Sequence, residues 1–272
     1  MSDFPAPGKL NLFLHVLGRR ADGYHDLQTV FRLVERADSI RIARREDGKL
    51  RFSGMLGDDN LCLRAARLLK QETSSRLGAD IELEKRLPVG GGLGGGSSDA
   101  ATVLLVLNRF WDLRLARADL LQLGAKLGAD VPLFLFGRNA LGEGIGEVLS
   151  PLELEPAWYL VLTPQVAVST KEIFARALTG ESKRLTIPPF FPGRGRNDLE
   201  AIVTARYPEV AAQLAWLRVR CPQARMTGSG ACVFAEFDTE TEARAIQSQM
   251  PHGMDGFVAQ GLDRHPLYDW VK

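Results

Sequence analysis

Residues 9–17, KLNLFLHVL, alternate with a period of two: Leu10, Leu12, Leu14 and Val16 share one face, Lys9, Asn11, Phe13 and His15 the other. That pattern predicts a half-buried strand whose less apolar face overlooks a site. Shorter strand patterns follow at 39–43 (SIRIA), 49–54 (KLRFSG) and 79–85 (ADIELEK). Between them, 59–71 (DNLCLRAARLLKQ) has helical spacing, with Asp59 or Asn60 as its cap. A glycine-rich stretch, PVGGGLGGGSS, then opens SSDAATVLLVLNRFW, a helix for which Ser97 or Ser98 is the expected N-cap. RADLLQLGAKLG predicts a further helix, followed directly by ADVPLFLFG at 129–137.

The run LSPLELEPA (149–157), with prolines near both ends, is the expected linker. Beyond it come a buried strand (WYLVLTP), a helix opened by Ser169 and Glu172 as a capping box, and a Pro/Gly loop at 186–196. NDLEAIVTARYPEVAAQLAWLRV supplies helices, and its NDLE start reads as another capping box. RMTGSGACVFAEF reads as strand, tight turn and strand, followed by a helix from Thr239 and a last strand near GFVAQG. No internal repeat is visible, and the best organisation is two α+β halves.

Composition narrows the function classes. The chain has 272 residues, enough for one large domain or two moderate ones. A net charge of +1, from 34 basic and 33 acidic residues, argues against a non-specific nucleic-acid binder. Cys62, Cys221 and Cys232 are odd in number and lack CxxC spacing, which points to reduced thiols in a cytoplasmic protein. The first residues show no signal-peptide pattern, and no run approaches the ~20 apolar residues of a membrane helix. His15, His252 and His265 have no metal-ligand spacing.

The glycine loop carries the chemistry. Unhindered N–H groups converging at a helix start bind anions, and the helix dipole adds positive potential. Gly90, Gly92 and Gly95 match a dinucleotide G-x-G-x-x-G, but Asp119, where the ribose-binding acid belongs, falls in a helical pattern. A Walker loop fails because Ser97 stands where its lysine is required. A plain turn would have no need of six glycines. The remaining reading is a phosphate loop whose lysine comes from elsewhere in the chain.

PVGGGLGGGSSDAA resembles the central motif of the GHMP kinases, and PGKLNLFLHV and TGSGACVFAEF resemble their first and third motifs, in the correct order. The resemblance covers the whole chain. It implies an α+β, two-domain GHMP kinase fold: a ribosomal protein S5 domain 2-like N-terminal domain over 1–154 with the ATP site, and a ferredoxin-like domain over 155–272. The segments GKLNLFLHVLGRRADGYHDLQTVF and LGADVPLFLFG point within the family to a small-molecule acceptor linked to cytidine diphosphate. They imply transfer of the ATP γ-phosphoryl to the 2-hydroxyl of a methylerythritol unit, a step of non-mevalonate isoprenoid synthesis.

The same resemblance implies the roles. The loop Pro88, Val89, Gly90, Gly91, Gly92, Leu93, Gly94, Gly95, Gly96, Ser97 and Ser98 cradles the triphosphate, and Lys9 approaches the transferring phosphoryl. Asp130 accepts the hydroxyl proton; read by itself it is an N-cap for VPLFLF, and one carboxylate can serve both purposes. Tyr24 and Phe174 sandwich cytosine, His25 bonds its edge, and Asn11 hydrogen-bonds the substrate. TGSG (227–230) is either a hairpin turn or a second phosphate wall, and Arg194 and Arg196 are candidate diphosphate contacts. Mg²⁺ is expected with ATP, although no carboxylate stands out as its ligand. Other acceptors within the family, and a nucleotide-binding protein without catalysis, remain alternatives. The expected assembly is a monomer or weak homodimer, without nucleic-acid or membrane partners.

Overall fold

The computed structural model describes residues 2–55, 57, 60–177, 184–185 and 195–271. Two long strands dominate it. β1 (Ser2–Arg19) and β2 (His25–Arg45) form an antiparallel hairpin turning at Arg20–Tyr24. The strand expected at 9–17 is therefore only the middle of β1, and the one expected at 39–43 is the end of β2. Arg32, Glu35, Arg36 and Asp38 break the apolar pattern of β2 and hide its continuity. The chain continues as β3 (Leu50–Ser53), α1 (Leu61–Thr73), β4 (Gly78–Glu84), α2 (Gly95–Phe110), α3 (Arg117–Leu127) and α4 (Val131–Phe136). Next come β5 (Ala140–Gly144), β6 (Val148–Pro151), β7 (Trp158–Leu162), α5 (Thr170–Phe174), α6 (Glu200–Arg206) and α7 (Pro208–Arg220). β8 (Arg225–Met226), β9 (Val233–Phe237), α8 (Glu240–Gln247) and β10 (Gly256–Leu262) complete it. Among the described residues no helix is long and apolar enough to cross a membrane.

One sheet runs through the molecule in the order β3-β4-β2-β10-β7-β9-β8, with β1 and β5 also paired to β2, and β6 to β5. All pairs are antiparallel except β3–β4. α1 and α2 pack on the N-terminal part, where Leu104, Leu107, Leu69, Ile40 and Ile81 are fully or almost fully buried. A second core, around Leu160, Leu199, Leu214, Leu217 and Val233, holds α6 and α7 against the C-terminal strands. The expected boundary near residue 154 falls between β6 and β7, but the second half does not close on itself. Leu267 and Val271 return to the first core, where Arg117 bonds the carbonyls of Tyr268 at 2.6 Å and Val271 at 2.7 Å.

The alternation in β1 is interrupted in a way that decides the site. A bulge lies between the pairs Asn11–Phe31 and Phe13–Val30, so Leu12 is an extra residue. An extra residue reverses the facing of everything after it. Lys9 and Asn11 line the cavity described below, but their face continues at Leu14, while Phe13 joins Leu10 and Leu12 in the core. The expected facing of Phe13 and His15 with Lys9 is thus corrected.

Helix starts follow expectation at α1 and differ at α2 and at NDLE. Asn60 caps α1, its side chain accepting from the Leu63 N–H; Asp59 lies outside the described residues. α2 begins earlier than the expected serine caps: its cap is Gly94, three residues before Ser97, in the left-handed region at φ 70°, with no side-chain cap bond. NDLE is not a capping box either. Asn197 Oδ1 accepts from the Leu199 N–H, and its Nδ2 bonds the carbonyls of Met226 and Gly228.

Candidate active site

The glycine loop, the start of β1 and the 227–230 turn meet around a cavity of about 390 Å³. The loop leaves β4, passes under the turn and enters α2. Its seat is close: a Cβ on Gly92, at φ 78°, would lie 2.4 Å from the Thr227 carbonyl oxygen. Gly91 O accepts from the Cys232 N–H at 3.1 Å, and Thr227 Oγ1 accepts from the Asn11 N–H at 2.9 Å. Backbone packing this tight excludes side chains, which is why glycines stand there. The 227–230 segment is both things the sequence allowed, a turn between β8 and β9 and a wall of the cavity, and Asn197 clamps it from behind.

Gly94–Ser97, the first turn of α2, face the cavity, so the unpaired N–H groups and positive end of a 16-residue helix are presented to it. The expected loop residues do not all reach it. Gly90, Gly92, Gly94, Gly95, Gly96 and Ser97 line the cavity, whereas Gly91, Leu93 and Ser98 are buried behind it and Val89 is exposed. Pro88 is half-buried and packs near Gly91.

Among the described residues lining the cavity, Lys9 is the only cation and Asp130 the only anion. Lys9 is 4% exposed, yet its Nζ stands 3.5 Å from Asp130 Oδ2 and 2.5 Å from Asn11 Oδ1. Its aliphatic chain backs onto Gly94, and the ammonium sits 5.6 Å from the Phe31 ring centre. Asn11 turns its amide NH₂ to Thr29 Oγ1 at 2.9 Å. Each end of that side chain thus has a partner within the protein, which positions Lys9, while Asn11 still lines the cavity. Asp130 occupies the cap position of α4 but makes no side-chain cap bond. Its carboxylate is left to the cavity, and the capping role expected for it is absent.

The aromatic cluster is rearranged relative to expectation. Phe174 faces His25, with ring centres 5.6 Å apart at 36°, while Tyr24 is 59% exposed. Tyr24 sits in the hairpin turn, its N–H held by Asp22, whereas His25 begins β2 and turns inward. Burial, and then the Arg19 charge, lower the His25 pKa, so the ring is neutral at pH 7. Arg196 is paired with Asp198 at 2.7 Å; Arg194 lies outside the described residues. Among the described residues no group of three or more His, Cys, Asp or Glu side chains could hold a metal.

Two features add to what the sequence predicts: the Thr227 hydroxyl, which ties the expected 227–230 turn to β1, and a buried cluster of Lys85, Asp38 and Asp99 behind the loop. A signal for the latter was available, since Asp99 is an acid inside an otherwise apolar helix pattern.

Comparison with known proteins gives the family. Residues 60–138 match the GHMP kinases N terminal domain, and residues 192–256 the GHMP kinases C terminal domain. A 4-diphosphocytidyl-2-C-methyl-D-erythritol kinase of Nitrosospira multiformis is 58% identical over 98% of this chain and 94% of its own. The chain belongs to the GHMP kinase family. It is accordingly an ATP-dependent kinase with the two-part α+β fold of that family. A second relative of the same name, from Thiobacillus denitrificans, is 56% identical over 98% of both chains. The crystal structure of a 4-(cytidine 5'-diphospho)-2C-methyl-D-erythritol kinase superposes with a TM-score of 0.85 at 35% identity, covering 96% of this chain and 99% of that one. A homoserine kinase from Cytophaga hutchinsonii, 17% identical, shares the fold with a TM-score of 0.72 over 97% of this chain and 94% of its own.

Proposed function

We propose that this GHMP kinase transfers the γ-phosphoryl of ATP to the 2-hydroxyl of 4-diphosphocytidyl-2-C-methyl-D-erythritol, giving the 2-phosphate and ADP. The observation that carries the reading is the Lys9–Asp130 pair, 3.5 Å apart, in the same cavity that the first turn of α2 lines. Phosphoryl transfer needs placement and charge neutralisation more than covalent chemistry. The N–H groups of the loop and the α2 dipole hold the triphosphate. Lys9, kept in place by Asn11 and Phe31, meets the charge spreading over the transferring group. Asp130, with its carboxylate free of capping duty, takes the hydroxyl proton as the new P–O bond forms and the γ-phosphorus parts from the β-phosphate oxygen.

The acceptor's cytosine is assigned to the His25–Phe174 corner. Phe174 offers a face for stacking, and the neutral imidazole can donate or accept at the base edge. Tyr24, exposed in the adjacent turn, is proposed to cover the base once it is bound. Asp130 is the one carboxylate among the described lining residues, beside the neutral oxygens of Asn11, Thr29, Ser97, Thr170 and Ser229, a weak donor set for a resident divalent cation. Mg²⁺ is therefore proposed to enter with ATP as part of the co-substrate, and no residue is assigned to it. The cytoplasm is the proposed place of action, where free Cys62, Cys221 and Cys232 stay reduced.

The test is ATP-dependent phosphorylation by the purified protein, followed by phosphorus NMR of the product, with mevalonate, homoserine and the uridine analogue as rival acceptors. Turnover of the cytidyl substrate alone supports the assignment; equal turnover of the uridine analogue, or preference for another acceptor, overturns it.

A further inference from the structure

Behind the glycine loop, on the side away from the cavity, lies a cluster that the reaction described above does not use. Lys85 Nζ bonds Asp38 Oδ2 and, at 2.9 Å, Asp99 Oδ2; the three side chains are 9%, 0% and 1% exposed. Asp38 Oδ1 also accepts the N–H groups of Arg86 at 2.6 Å and Leu87 at 2.8 Å, fixing the chain as it leaves β4. Asp99 belongs to the opening turns of α2. The loop backbone rests directly on the cluster: a Cβ on Gly95 would stand 3.0 Å from Lys85 Nζ and 3.2 Å from Asp38 Oδ2.

We propose that Lys85, Asp38 and Asp99 are positioning residues for ATP: they seat the first turn of α2 on β2 and β4, and Lys85 cancels negative charge that would otherwise stand directly behind the triphosphate. The inference rests on the loop being the triphosphate seat. A buried ion pair contributes little net stability, but stripping one partner from it leaves an expensive unpaired charge. Here the geometry adds a functional cost, because two carboxylates without their ammonium oppose a polyanion in a region of weak screening.

The cluster is also titratable. Burial pushes the Asp99 carboxyl above the usual carboxylate range, with Lys85 opposing that rise and Asp38 adding to it. The groups facing it are Lys85 from beyond β4, Asp38 from β2 and the buried Cys62 thiol from α1, itself pushed far up by burial.

The experiment measures KM for ATP at saturating acceptor, and KM for the acceptor, in the full chain and in Lys85→Met, Asp99→Asn and the double variant. Lys85→Met should raise the ATP KM by about tenfold or more while acceptor KM stays within about twofold. Adding Asp99→Asn should return at least about half of that loss on a logarithmic scale, because one opposed carboxylate is gone.

An ATP KM within about twofold of the parent in Lys85→Met, or a loss that Asp99→Asn leaves undiminished, would make the cluster a matter of packing only. If Lys85→Met does not fold, Lys85→Gln, whose amide still bonds the carboxylates but carries no charge, decides: an ATP KM within about twofold of the parent overturns the proposal. Gly92→Ala separates the two levels. A raised ATP KM there with none in Lys85→Met removes the cluster's role alone; no change in either removes the triphosphate seat as well.

Discussion

Replacing Asp130 by Asn exchanges one oxygen for an NH₂ at the start of α4 and leaves the shape intact. The structural cost is small for two reasons. The Asp130 side chain makes no cap bond, so the ~1 kcal/mol usually at stake at an N-cap is not lost. Its pairing with Lys9 spans 3.5 Å with the carboxylate 37% exposed, and a pair so wetted contributes at most about 1 kcal/mol. Lys9 keeps Asn11 Oδ1 at 2.5 Å and the Phe31 face. The melting temperature should therefore move by no more than ~2–4 °C.

The catalytic cost is of another size. An amide cannot take up the hydroxyl proton, and loss of a general base lowers kcat by ~10²–10⁴-fold. That is about 3–5 kcal/mol on the barrier, several times the folding effect. Coupled detection of ADP at saturating ATP and acceptor gives kcat, single-turnover quenching separates chemistry from product release, and calorimetric melting gives the stability. A kcat within about fivefold of the parent would remove the proton-acceptor role. A large drop matched by loss of folded protein would refute the separation of the two costs.

Gly92→Ala puts a Cβ 2.4 Å from the Thr227 carbonyl and 3.0 Å from that of Gly230, at φ 78°. Since both obstacles are backbone, the two loops must part, and ATP KM should rise by about tenfold or more with about 1–3 kcal/mol of stability lost in urea unfolding; an unaltered ATP KM would place the triphosphate elsewhere. Phe174→Ala should raise acceptor KM by about tenfold through lost stacking while sparing ATP, and calorimetry should show CDP binding the parent more tightly than UDP. Burial, with Arg117 adding to it, lowers the His265 pKa to about 3. The folded form thus refuses a proton that the unfolded chain takes, and stability is complete above ~6.5 and falls as pH drops towards 3. In His265→Asn, whose amide oxygen can still accept the Leu267 N–H, unfolding free energy measured between about pH 6 and 4 should slope less by close to one proton; an unchanged slope would show that the ring titrates normally.

The residues legible in the sequence were those whose backbone makes the site. Glycines needing positive φ and a helix start after them announce an anion seat without any tertiary knowledge, and Lys9 and Asp130 could be named from the motifs around them. Facing and partnership were not legible. One bulge at Leu12 reverses which side chains of β1 look inward, and nothing local marks it. Asp130 as a cap and Asn197 as a capping box were sound local inferences, yet cavity and turn contacts outweigh the local bonds. Lys85, Asp38 and Asp99 are far apart in sequence and come together only through the pairing of β2 with β4. Tyr24 and His25 are neighbours in the chain, but one lies in a turn and the other in a strand, so they point differently.

Because Val34 of β2 pairs with Gly261 of β10, hydrogen bonds stitch the two halves edge to edge, and the chain crosses between them more than once. A protease nick in the 152–156 connection would leave a two-piece complex rather than two separable fragments. Such a frame cannot open and shut like a clam around ATP. Water must instead be shut out by small excursions of what lies at the rim, the hairpin tip that carries Tyr24 above all, so turnover should be sensitive to loop chemistry there and largely indifferent to solvent viscosity acting on whole-domain rotation.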